Sequence, residues 1–171
     1  MFTTDADFER PDWPLIQDGA VNLFWNPDIL AETEAHLQPL GYRFAEVSCR
    51  DGIEAFRRQM ADALAWEEQF GYLPWSGNLD ALDEGFRGFP FGPGGHAALV
   101  LDGFHLLVED DGTYAHAILD IIEQASRDHL LHGKILIGLV QTDDNRFACP
   151  AVGCRPVQWN PREWLDSNRS L

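Results

Sequence analysis

Three carboxylates, Asp80, Asp83 and Glu84, stand at i, i+3 and i+4 within the run Trp75–Arg87. Residues of that type at that spacing support two chemistries. A pair of carboxylates can divide the work of general acid and general base, provided burial or a close like charge raises one pKa toward neutrality. Left in water, the same residues make an anionic surface, which either docks a cationic group or only solvates a helix face. The acid–base reading fares poorly, because the three would share one exposed helix face and no Gly-x-Ser-x-Gly, Walker or His-Glu-x-x-His pattern occurs in the chain. Sulfur and imidazole offer little more. Cys149 and Cys154 are five apart, with His116, His129 and His132 upstream. A zinc site wants a tighter pair or a matched second pair, so structural or free thiols are the expectation. The run Gly88–Gly95 is rich in glycine, but Pro90 and Pro93 remove amide donors and no Lys-Ser/Thr follows, so it reads as a connection.

The element that must carry the carboxylates is a short helix opened by Asn78. An asparagine after a glycine is a good N-cap, since its side-chain oxygen accepts from one of the first free backbone N–H groups. At about 100° per residue, Leu79, Leu82 and Phe86 fall on one side and Asp80, Asp83, Glu84 and Arg87 on the other. The carboxylates repel one another by a few tenths of a kcal/mol per pair, and only Arg87 is placed to relieve them. Ahead of the helix, Phe70–Trp75 reads as an aromatic loop in which Tyr72 and Trp75 are either lids on the core or contact residues.

The rest of the chain supplies a frame of alternating strands and helices. Met1–Ile16 reads as an irregular N-terminal arm with Phe8 and Trp13 as anchors, followed by a short strand at Ala20–Trp25. A helix from Pro27 or Asp28 to about Gln38 turns Ile29, Leu30, Thr33 and Leu37 inward. Tyr42–Cys49 alternates as a strand, and a helix opened by Asp51 and Gly52 carries Ile53, Phe56, Met60, Ala63 and Leu64 inward through Trp66. Beyond the acidic helix, Ala97–Leu101 is a buried strand and Phe104–Val108 a short helix or further strand. Asp110–Gly112 turns the chain into a long helix ending near His129 to Gly133. Lys134–Val140 is so continuously apolar that it belongs at the centre of a parallel sheet covered on both faces. Thr142–Leu171 is a tail in which Val157–Trp159 either adds an edge strand or covers the core.

Composition narrows the classes. With 171 residues and 45% hydrophobic content the chain can bury one substantial core. No apolar run approaches the roughly 20 residues of a membrane span, and the start carries acids where a secretory signal carries bases, so a cytoplasmic protein is expected. The formal charge of −16 repels phosphate backbones and argues against direct nucleic-acid binding, while suiting a basic protein partner. Cys49, Cys149 and Cys154 are an odd set, consistent with a reducing compartment.

The run Asn78-Leu79-Asp80-Ala81-Leu82, with an aromatic residue before it and Glu84 two places after, resembles the central motif of the barstar family, intracellular inhibitors of small secreted ribonucleases. The family pattern is Tyr-Tyr-Gly-x-Asn-Leu-Asp-Ala-Leu-Trp-Asp, and the order strand, helix, aromatic loop, short helix, strand, helix, strand over about a hundred residues matches it as well. The resemblance implies an α/β fold with a small parallel sheet of three central strands flanked by helices. It divides the chain into an N-terminal extension over 1–40, a barstar-like domain over 41–143 and a C-terminal extension over 144–171. It implies an inhibitor rather than an enzyme, with no cofactor and no metal. Its partner would be a basic ribonuclease or related toxin, blocked by Asp80 and Glu84 with help from Trp75, Gly77, Asn78 and Asp83. A binding module with a partner other than a ribonuclease is the alternative. Pro74 replaces the first aromatic of the family's pair, Ser76 stands at the family glycine with Gly77 one place late, and Asp83 replaces the tryptophan. His116 stands at the acid of the last helix, so that contact does not carry over.

Overall fold

A computed structural model describes residues 5–171; the first four residues of the expected N-terminal arm lie outside them. The frame is a five-stranded sheet, every pairing parallel, in the order β2-β3-β4-β1-β5. Its strands are β1 (Val21–Phe24), β2 (Arg43–Ser48), β3 (His96–Asp102), β4 (Ile135–Gln141) and β5 (Gln158–Trp159). The expected trio of central strands is present as β2, β3 and β4. Beyond it, β1 pairs with β4, placing Val21 opposite Gly138, and β5 adds an edge strand beside β1. The helices are α1 (Asp5–Phe8), α2 (Pro27–Leu37), α3 (Ile53–Ala63), α4 (Trp66–Phe70), α5 (Leu79–Arg87) and α6 (Phe104–Leu130).

Parallel strands joined by helical crossovers need cover on both faces, and the side chains divide accordingly. Ala98 and Val100 of β3 and Ile135, Ile137 and Leu139 of β4 pack with Leu30 and Leu37 of α2. The alternate residues Ala97, Leu99 and Leu101 of β3 and Leu136 and Val140 of β4 pack with α3, α5 and α6 on the opposite face. All seven residues of β4 are buried, which is why that stretch shows no polar alternation. Gly138 faces α6, where an added Cβ would lie 3.2 Å from Ile122.

Two helices depart from the periodic reading. The helix expected to run through Trp66 ends at Ala63, because Ala65 takes a left-handed conformation (φ 51°) and Trp66 begins the separate helix α4. Phe70 therefore closes a helix rather than opening a loop. The turn expected at Asp110–Gly112 is a kink inside α6, with Asp111 out of helical geometry and its carboxylate accepting from the Tyr114 N–H at 2.9 Å, which caps the longer second half.

The carboxyl end of the sheet is closed by an ion cluster. The Arg50 guanidinium bonds Asp102 through Nε at 2.7 Å and Asp143 through Nη1 at 2.7 Å, and Gln141 accepts from it at 3.0 Å. These bonds hold the Asp143 carboxyl well below the usual carboxylate range and push the guanidinium pKa up. The tail is tied in at the same end of β1. Glu163, fully buried, accepts from the backbone N–H groups of Trp25 and Asn26, at 3.1 and 2.7 Å through Oε1, and Arg169 beside it donates to the carbonyls of Glu163, Trp164 and Asn145. No helix among the described residues is long and apolar enough to cross a membrane.

Candidate partner-binding site

Helix α5 is built as its residue types dictate. The Asn78 side chain accepts from the Ala81 N–H at 2.9 Å, filling one of the donors the first turn leaves free. Leu82 and Phe86 are fully buried, so the apolar side of the helix is spent on the core and the acidic side must face out. Gly85 is also on the buried side, where an added Cβ would come within 2.8 Å of the Trp66 ring, so only glycine lets α4 approach this closely. Gln69 of α4 strengthens that contact by donating to the Gly85 carbonyl at 3.1 Å.

The loop before α5 is held from beneath. Trp75 is 1% exposed, with its ring 6.0 Å from that of Trp66 and its indole N–H donating to the Asn78 carbonyl at 3.0 Å. Gly77 sits at φ +88°, its carbonyl accepts from the Tyr114 hydroxyl at 3.1 Å, and a Cβ there would collide with the Arg57 guanidinium at 2.5 Å. The backbone angle thus favours glycine at 77, one place after its position in the motif, while the Arg57 side chain packs over it.

Asp80 and Glu84 are exposed, and Asp83 lies at the edge of the helix. Arg87 bonds Asp83 at 2.9 Å and lies 3.2 Å from Glu84, so one guanidinium serves two acids. Among the described residues the Asp80 carboxylate has no hydrogen-bond or ion-pair partner. The face is flanked on both sides. Toward Glu84 lie α4, with exposed Glu67 and Glu68, and the loop residues Tyr72 and Leu73, each 51% exposed. Toward Asp83 an open groove of about 780 Å³ separates α5 from α6, with Asp120 of α6 on its rim.

Of the residues singled out by sequence, the fold brings Asp80, Asp83 and Glu84 onto one surface, while Asn78, Trp75 and Gly77 support it, Trp75 from inside the core. Asp120 was not reached by sequence reasoning. Nothing local distinguishes it from other exposed acids, and only the packing of α6 along α5 gives it a place. His116 is occupied with the Ala151 carbonyl at 3.1 Å. Cys49, Cys149 and Cys154 are free thiols, the first two pushed by burial to about 12 and about 11. No group of three His, Cys, Asp or Glu residues among the described residues is arranged to hold a metal ion.

No curated protein matches the sequence. The sequence model of the family described as Barstar (barnase inhibitor) matches residues 44–140, more than half of the chain, from within β2 to near the end of β4 and including all of α5.

Proposed function

The chain belongs to the barstar family, whose members are inhibitor proteins and not enzymes, and from that premise we propose that it blocks a barnase-like ribonuclease by seating the acidic face of α5 in the enzyme's basic active site. The observation that carries this reading is the state of Asp80: an exposed carboxylate without a hydrogen-bond or ion-pair partner among the described residues, on a helix whose neighbouring acids Asp83 and Glu84 already share Arg87. Such a group gains most from an incoming guanidinium or ammonium, because no existing ion pair has to be broken. Asp80 and Glu84 take the place of RNA phosphates, Asp83 and Asp120 extend the negative field, and Tyr72 and Leu73 offer apolar contact beside it. Asn78, Gly77 and Trp75 act by keeping the surface rigid, which lowers the entropy lost on docking. The charge of −16 steers a basic partner in, and with the unpaired thiols supports action in the cytoplasm as an immunity protein.

Asp83 favours a second reading. A carboxylate where the motif has tryptophan changes the surface offered to a partner, as would suit a basic toxin other than a ribonuclease. Titration of barnase with this protein separates the two. RNA cleavage should fall to zero at one inhibitor per enzyme and return as salt screens the interface. Cleavage that persists at saturating protein would overturn the ribonuclease reading.

A further inference from the structure

The groove between α5 and α6 has a third wall that lies outside the family-matched residues. It is the turn Ala151–Arg155 of the C-terminal segment, which contributes Ala151, Gly153 and Cys154 to the groove opposite Asp80 and Asp83. We infer that this turn belongs to the surface that receives the ribonuclease, closing the groove so that it takes a basic side chain of the partner. The inference rests on the reading proposed above and adds to it an element that α5 does not contain.

The turn is closed by two hydrogen bonds of its own and tied to α6 by three more polar contacts. Val152 and Arg155 exchange backbone hydrogen bonds at 2.9 Å, and Val152 is buried. The Gly153 N–H donates to Asp120 at 2.6 Å, Arg127 donates to the Gly153 carbonyl at 2.7 Å, and His116 bonds the Ala151 carbonyl at 3.1 Å. Gly153 has φ +53°, and a Cβ on it would lie 2.8 Å from Cγ of the buried Glu123, so glycine favours this close approach to α6. A wall fixed at that many points does not need ordering when a partner arrives, which is the condition for a contact surface to add affinity.

The chemistry of the groove selects its occupant. Leu79 and Ile121 make an apolar floor, and the carboxylates of Asp80, Asp83 and Asp120 stand around it. That combination fits the aliphatic stem and cationic head of arginine or lysine. Arg127, the cation on the rim, is already committed to Glu123 at 3.1 Å and to the turn itself. The Gly153 N–H holds one Asp120 oxygen and leaves the other without a partner among the described residues, so the turn also aims that carboxylate.

Cys154, exposed on this wall, gives the test. Cys49 is buried and Cys149 half-buried, and burial raises both thiols, so in a full-length Cys149→Ser background an uncharged pyrene maleimide at pH 7 adds at Cys154. Inhibition of barnase by the labelled protein should weaken at least tenfold with no change in melting temperature. Cys154→Lys, which sets a positive charge in the groove with far less bulk than the pyrene label, should weaken it similarly, with the loss shrinking in high salt, while Cys154→Ser should inhibit as the native protein does. If the labelled and Cys154→Lys proteins inhibit as tightly as the native one, the turn is not part of the interface and α5 alone carries the function. If the native protein leaves barnase active, both the turn and the inhibitory reading fall.

Discussion

Neutralising the two outward acids in shape-preserving form, Asp80→Asn with Glu84→Gln, should separate binding from stability. In the free protein Asp80 lies in the first turn of α5, where the helix dipole favours it by about 0.3–1 kcal/mol. Against this stands repulsion from Asp83 and Glu84 of about 0.2–0.5 kcal/mol each. Glu84 is a surface residue sharing Arg87 with Asp83, an arrangement worth about 0–1 kcal/mol. The opposing effects nearly cancel, leaving a net change of about 0.5 kcal/mol or less and a shift in melting temperature of about 1–2 °C. Binding behaves otherwise. A carboxylate about 4 Å from a guanidinium, in an interface of effective dielectric about 20, attracts it by about 4 kcal/mol. If desolvation removes about half, each acid contributes about 2 kcal/mol, or about 30-fold in Kd, and the pair about a thousandfold. The assay is cleavage of a fluorogenic RNA by barnase at increasing inhibitor, with calorimetry on each variant. A double variant that inhibits like the native protein refutes the electrostatic argument. A loss of inhibition accompanied by a fall in melting temperature of more than about 5 °C would show instead that the acids act through the fold.

Three further outcomes follow from contacts elsewhere. Asn78→Ala removes the cap of α5 and should cost about 1 kcal/mol in urea unfolding, with Asn78→Asp restoring most of it. Glu163→Ala leaves the Trp25 and Asn26 N–H groups without their acceptor and should cost about 2–4 kcal/mol, lowering the melting temperature by roughly 5–10 °C; a change under 1 °C would mean the tail is not integral to the fold. The depressed pKa of Asp143 means that its pairing with Arg50 stabilises the fold fully above the ordinary carboxylate value of 3.8, and that this contribution is lost as pH falls through the folded value. Arg50→Gln should therefore flatten the acid side of a melting-temperature profile between about pH 2 and 6, and an unchanged profile would contradict the assignment.

Local rules settled much of this protein from sequence alone. Asn78 after Gly77, the apolar side Leu79, Leu82 and Phe86 and the acids opposite them are short-range signals, and α5 has the cap and the burial they imply. The unbroken apolarity of Ile135–Val140 likewise reports a strand covered on both faces, because no face is left for polar residues. Tertiary packing decided the remainder. Ala65 breaks a periodic helix, and Trp66 then packs against Gly85 of α5, twenty residues along the chain from Ala65. A tryptophan before an acidic helix suits a surface as well as a core, and only the meeting of α4, the loop and α5 puts Trp75 inside. Asp120 and the turn at Gly153 join the α5 surface because α6 runs along α5 and the tail folds back over α6. Capping and periodicity act within a few residues and are written in the sequence; which exposed acids share one groove depends on contacts between segments far apart in the chain, which no local pattern records.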